Sequence, residues 1–183
     1  SMKAIHPKAW VVYGLSKGFG LAGLRIGALI SPDADGLKKV MNVAGYDRTI
    51  EGTSTLSQMA AVAAMESSSG LKSFLVQTKN VMEMAVKSLN TIPIFETRMP
   101  ESTFVLWIAH DKALDSIKLA ASIEEEAKVK LVPGLPMWFG PGAKDHLRMS
   151  CATHPEIMQD ALNRIQIWAK CHQENNDFHL LAK

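Results

Sequence analysis

The stretch Val11–Gly27, VVYGLSKGFGLAGLRIG, ends an apolar run in Ser16-Lys17, passes through Gly18, Gly20 and Gly23, and presents Arg25 eight positions after the lysine. A lysine at the end of a buried strand has a fixed stem and a partly desolvated head, and desolvation makes an amine nucleophilic towards a carbonyl. Ser16 adds a hydroxyl. Glycines let backbone approach a ligand closely. An arginine supplies a permanent forked cation suited to a phosphate. A lysine with a phosphate anchor is the requirement for holding pyridoxal 5'-phosphate (PLP) as a Schiff base. The competing reading is a solvated surface lysine beside common glycines, which leaves a structural or binding module with no catalytic role.

Two other phosphate motifs fit less well. GLSKGFG departs from the P-loop pattern, since its serine precedes the lysine. Gly18-Phe19-Gly20-Leu21-Ala22-Gly23 satisfies G-x-G-x-x-G, but the acidic residues nearest the required distance, Asp47 and Glu51, end no strand.

The elements that must position these residues fall into two halves. The first predicts strands over Trp10–Leu15 and Ile26–Ser31 and a helix capped by Asp33 or Asp35 and running to Val43. A second helix, Leu56–Glu66, follows a Thr53-Ser54-Thr55 cap, and its alanine- and methionine-rich composition predicts burial on most sides. Ser67-Ser68-Ser69-Gly70 reads as a break. Leu71, Phe74, Leu75, Thr78, Val81, Met82, Ala85 and Leu89 then carry a helical apolar stripe for over five turns, about 30 Å and long enough to bridge two domains.

The second half predicts strands at Pro93–Thr97 and Thr103–Ala109 and a helix at Asp115–Lys128. A short strand at Val129–Val132 is followed by a loop at Met137–Gly142 and a strand at His146–Ala152. Thr153 caps the last helix, with Pro155 at its first position and a stripe of Ile157, Ala161, Ile165, Trp168 and Ala169. The tail from Glu174 is polar and is expected to fray.

The 183 residues carry 20 basic and 18 acidic side chains, a net +2 with the signs interspersed, so no basic face points to nucleic acid or an anionic membrane. No apolar run reaches the ~20 residues needed to span a bilayer. Two cysteines, Cys151 and Cys171, make no disulfide framework. With no secretion signal at the start, they predict passive, reduced thiols in a cytoplasmic protein. Ser1-Met2 resembles a cloning remnant.

The segment SKGFGLAGLRIG resembles the lysine segment of the class I/II aminotransferases, the fold-type I PLP enzymes, whose pattern is S-K-x-F-[GA]-L-x-G-x-R-x-G. Lys17 takes the place of the Schiff-base lysine and Arg25 that of the arginine on the cofactor phosphate. Ser16 sits where a phosphate-contacting hydroxyl is often found. Gly14 stands where many members have a serine or threonine, which implies one phosphate ligand fewer. Downstream, Val132-Pro133-Gly134, Phe139-Gly140-Pro141-Gly142 and His146-Leu147-Arg148-Met149-Ser150 resemble the family's Pro-Gly turn, glycine-rich loop and H-[LIV]-R-[LIM]-S strand. Arg148 falls on the arginine that grips the substrate's α-carboxylate, a planar fork meeting a planar group. Core packing is the expected role of Phe19, Trp138 and Phe139.

The resemblance runs from about Trp10 to Lys170 and implies an α/β architecture, the C-terminal part of a fold-type I transferase. Residues 1–70 would be the end of the PLP-binding large domain, 71–92 an interdomain helix, and 93–183 a small α+β domain. It implies a homodimer acting on an amino acid and a 2-oxo acid, with no metal. The family's upstream half supplies the aspartate at the pyridine nitrogen and the stacking aromatic, so this chain is expected to be inactive alone. A PLP-dependent C–S β-lyase or a cyclising lyase would use the same residues.

Overall fold

The computed structural model describes residues 6–46 and 52–183; Asp47 and Glu51 lie outside them, as does the Ser1-Met2 start. The chain divides into two compact units, Ser1–Ser73 and Phe74–Lys183.

In the first unit, β1 (Val11–Gly14) and β2 (Gly27–Ile30) form a two-stranded antiparallel sheet with Val11 opposite Ile30 and Gly14 opposite Gly27. Asp33 caps α1 (Ala34–Ala44), its carboxylate accepting from the Gly36 amide at 2.5 Å, and left-handed Gly45 closes it. Helix α2 is Thr55–Glu66, with Ser54 at its N-cap position making no side-chain cap bond.

Two expectations fail here. Neither strand is buried: Val12 is 82% exposed, and β2 is exposed along its length. Helix α2 buries only Ser57 and Ala61, while Leu56, Met59, Val62 and Met65 face solvent. Apolar composition marks faces that can be covered, and nothing described in this unit covers them.

The predicted break at 67–70 shrinks to Ser67, since α3 already begins at Ser68 and runs to Leu89. Its stripe is half realised. Thr78, Val81, Met82, Ala85 and Leu89 are buried, whereas Phe74 and Leu75 stay exposed.

The second unit holds the main core. Four short strands, β3 (Phe95–Thr97), β4 (Val105–His110), β5 (Val132–Pro133) and β6 (His146–Ser150), pair antiparallel in the order β3-β4-β6-β5. Between β4 and β5, Asp115 caps α4 (Ser116–Ser122) by accepting from the amides of Ile117 and Lys118 at 2.9 and 3.0 Å. The helix then widens into a π turn, Ile123–Ala127. The predicted 137–142 loop is instead two short helical turns, α5 (Pro136–Phe139) and the 3-10 turn Pro141–Ala143.

Helix α6 (Pro155–Asn175) starts at Pro155 as expected, but His154, not Thr153, occupies its cap position. Its buried stripe is Met158, Leu162, Ile165, Trp168 and Ala169, and Ile157 is exposed. These residues cover one sheet face, packing with Leu106, Ile108, Leu147 and Met149 in a single core.

The tail does not fray. Residues Asp177–Leu181 form a 3-10 turn with Leu181 buried, and the Asp115 amide donates to the Leu181 carbonyl at 2.8 Å. The Lys183 ammonium donates to Asp145 Oδ1 at 2.6 Å. Phe178 and Leu181 give this polar-looking segment enough apolar surface to dock.

Candidate functional site

In the first unit, Leu15 is buried immediately before Ser16 and Lys17, and its carbonyl accepts from the amides of Phe19 and Leu21 at 3.3 and 3.4 Å. The chain therefore leaves β1 in a tight turn rather than an extended strand end. Ser16 is half-buried at its start, while Lys17 is exposed. The expected desolvated lysine head is not present within this unit, because β1 is itself uncovered.

Gly20 takes φ +69°, a left-handed turn that a side chain would strain. A Cβ added at Gly18, Gly20 or Gly23 would meet nothing within 4 Å, so the loop leaves open room for a ligand against its backbone. The 3-10 turn Ala22–Leu24 ends on Arg25, itself left-handed at φ +49°. A non-glycine residue there is uncommon and carries a strain cost. The Arg25 guanidinium is exposed and reaches back to the Ala22 carbonyl at a long 3.4 Å. Ser57, buried on α2, donates to the Leu24 carbonyl at 2.8 Å and pins the turn just before Arg25. The sequence contained no sign of that contact, which joins residues 33 positions apart.

Arg148 belongs to the second unit. It lies on β6, a strand paired on both sides, opposite Trp107 of β4 and Val132 of β5. Leu147 and Met149 point into the core, so Arg148 projects from the other face with His146 and Ser150. Its Cζ sits 5.7 Å from the centre of the Phe139 ring, within cation–π range. Among the described residues, no carboxylate lies within salt-bridge distance of Arg148, so its fork is open to an anionic ligand.

The expected core roles of Trp138 and Phe139 are not realised. Both are exposed on helix α5, Trp138 at 63%, and Phe139 stacks edge-on to Trp107 with ring centres 5.2 Å apart. The turn carrying them is held from below by Gly134, whose amide donates to the His146 carbonyl at 2.8 Å. Among the described residues no cluster suited to a metal ion is found, and no helix is long and apolar enough to cross a membrane.

The candidate residues thus fall in two sets, Ser16, Lys17 and Arg25 on a glycine-rich turn in one unit and Arg148 on a sheet face in the other. The chemistry they suggest has counterparts in known proteins. Residues 2–165 match the family model described as aminotransferase class I and II. The aspartate aminotransferase of Geobacillus stearothermophilus is 30% identical over 167 residues, covering 85% of this chain and 39% of the relative. A cystathionine beta-lyase of Bacillus subtilis is 28% identical, covering 82% of this chain and 39% of the lyase. The fold matches that of cystalysin from Treponema denticola, whose crystal structure contains PLP. The TM-score is 0.79 at 18% identity, over 93% of this chain and 44% of that one. The chain spans about two fifths of the length of its curated relatives. It has the α/β fold of the C-terminal part of a fold-type I enzyme, and it belongs to the class I and II aminotransferase family.

Proposed function

We propose that this chain forms the C-terminal portion of a PLP-dependent aminotransferase, which moves an amino group between an amino acid and a 2-oxo acid. The observation that carries the reading is the open fork of Arg148, held on a central strand and facing away from the core. In this reading residues 1–70 complete the large domain, 71–92 bridge, 93–183 form the small domain, and the working enzyme is a homodimer.

The donor set fits PLP. Lys17 offers an exposed primary amine and Arg25 an exposed guanidinium, and the glycine turn leaves space against its backbone. Ser16 adds a hydroxyl at the same turn. When bound, the cofactor supplies the electron sink that makes a substrate Cα–H acidic. Lys17 would hold the cofactor through its Nζ, and the same amine would move the substrate Cα proton, acting as base and then acid. Arg25 and Ser16 keep the phosphate end stationary. Arg148 would grip the α-carboxylate through two parallel N–H···O bonds, a planar fork on a planar group. Because Lys17 is exposed within its own unit, the enclosure that such an amine needs comes from outside that unit.

A second reading, a C–S β-lyase, draws on the 28% identity to the cystathionine beta-lyase. The two part at the product. A transaminase exchanges an amino acid for an oxo acid, whereas a lyase releases a thiol, pyruvate and ammonia.

The test uses the complete enzyme. Borohydride reduction of the PLP-loaded protein followed by peptide mapping should place the adduct on Lys17, and Lys17→Ala should abolish turnover. Arg148→Leu should lose about 2–4 kcal/mol of transition-state binding. Arg148→Lys should also be poor, since a point charge does not replace a fork. An adduct on another lysine, or unchanged kcat/KM in both Arg148 variants, overturns the assignments.

A further inference from the structure

The sheet face that carries Arg148 also carries a set of aromatic rings that the proposed chemistry does not use. Along β4, Leu106 and Ile108 are buried in the core, so Val105, Trp107 and Ala109 point the other way. Along β6, His146, Arg148 and Ser150 share that face. The register places Trp107 directly opposite Arg148. Directly opposed residues of an antiparallel pair have Cβ atoms about 4.5–5.5 Å apart.

Three rings gather there. His146 stacks on Trp107 with ring centres 5.2 Å apart and planes 16° from parallel, and Phe139 meets Trp107 edge-on at 5.2 Å while lying under Arg148. Trp107 nevertheless remains 36% exposed and Phe139 39% exposed. His146 Nδ1 has no hydrogen-bond partner. A groove of about 790 Å³ opens on the β3–β4 side of this face, with Val105, Trp107, Ala109 and His146 among its lining residues and the segment Glu96–Thr103 as its far wall; Arg148 and Phe139 adjoin it through Trp107. That volume lies within the ~300–1,000 Å³ of small-molecule sites.

We infer that Trp107, with Phe139 and His146, forms a side-chain subsite beside Arg148 for aromatic carboxylates, that is, α-amino or 2-oxo acids bearing an aryl group. The inference rests on the proposed role of Arg148. The apolar floor and the edge-and-stack ring arrangement favour one more ring, which gains quadrupole contacts beyond its area burial. The ionisable residues of the far wall argue against a second carboxylate. Glu96 and Glu101 outnumber Arg98 there, leaving a net charge of one negative (one cation against two anions). The relatives named for aspartate would need the reverse.

The experiment titrates the isotopically labelled 183-residue chain with 3-phenylpropanoate and, separately, with propanoate. It follows the backbone amides of β4 and β6 in every variant and, in the native chain, also the Trp107 indole N–H, assigned through Trp107→Phe. 3-Phenylpropanoate should shift that signal and bind at least about threefold more tightly than propanoate. Trp107→Leu should erase the difference, Trp107→Phe should keep part of it, and Arg148→Leu should weaken both acids. Retained dispersion of the Leu106 and Ile108 amides reports that each variant is folded. Equal affinity for the two acids, still dependent on Arg148, overturns the ring subsite and leaves the carboxylate role standing. A ring preference that survives in folded Trp107→Leu overturns it as well. Binding of both acids unaffected by Arg148→Leu removes the carboxylate role, and the subsite falls with it. No shift at Trp107 with about 50 mM 3-phenylpropanoate also ends the proposal.

Discussion

Single residues separate sharply by their surroundings. Cys151 follows β6 with no exposed surface, its amide donating to the Phe104 carbonyl at 2.7 Å, and burial pushes its thiol up to about 11. Cys171 is exposed on α6. Only a thiolate reacts with an alkylating agent. Iodoacetamide at pH 8 should therefore modify one cysteine of the native chain, Cys171, with Cys151 slower by on the order of 100-fold or more. Mass mapping before and after denaturation checks this, and rapid native labelling of Cys151 would contradict its burial. Lys17 and Arg25 were visible as types at a spacing. The Ser57 contact on Leu24 behind Arg25 was not, because it joins residues 33 positions apart.

Among the elements, the junction of β4, α4 and the approach to β6 depends on one histidine. His110 ends β4, buried, with Nε2 2.7 Å from Ser116 Oγ and Nδ1 2.8 Å from the Asp111 carbonyl. Ser116 also donates to the Lys144 carbonyl. Burial is the largest influence on the imidazole and holds it below its ordinary 6.5. Lys183 and His146 push the same way, against the Asp111 carbonyl and Asp145. The unfolded chain therefore takes up this proton first as pH falls. The stabilisation is fully present above pH 6.5 and is lost as pH drops through the lower folded value. Denaturant midpoints should fall between pH 7.5 and 5 in the native sequence, with a shallower slope in His110→Gln. Equal slopes would remove His110 from the effect. Asp145 cannot supply that drop. Lys183 depresses its carboxyl below 3.8, so its own loss comes at more acid pH.

The turn under the aromatic rings yields a second expectation at this scale. A Cβ on Gly134 would lie 1.9 Å from the Ala143 carbonyl oxygen and 2.7 Å from that of His146, both backbone atoms that cannot swing aside. Gly134→Ala should cost about 3 kcal/mol, read as a lowered denaturant midpoint. A change under about 0.5 kcal/mol would show that the turn relaxes freely. The Pro-Gly pair was legible as a turn, but the reason for its glycine is a close approach between segments.

At the scale of the whole molecule, the two units are unequally consolidated. The large continuous core, from Val81 to Leu181, lies in Phe74–Lys183. The other unit buries Leu15, Ser57 and Ala61 among its described residues and leaves Val12, Leu56, Met59, Val62 and Met65 in solvent. Local opening free energy follows buried apolar contacts. Amides of β1, β2 and α2 should exchange with deuterium at least about 100-fold faster than those of β4 and β6. Mass spectrometry of peptic peptides reads this directly, and comparable protection in both units would refute it.

What the sequence determined by itself was local. The Lys17–Arg25 spacing, the Asp33 cap, the Pro155 start and the C-terminal half of the α3 stripe are all written within short stretches of chain, where 3.6-residue periodicity and capping chemistry act over a few positions. Tertiary structure decided which apolar faces find cover, as the exposed α2 and the docked Asp177–Leu181 turn show in opposite directions. It also decided what surrounds Arg148. Trp107 stands 41 residues earlier in the chain and reaches the arginine only through the β4–β6 register. Register is set by burial of Leu106, Ile108, Leu147 and Met149 on the opposite face, since a one-residue slip of β6 would turn Leu147 and Met149 out to water.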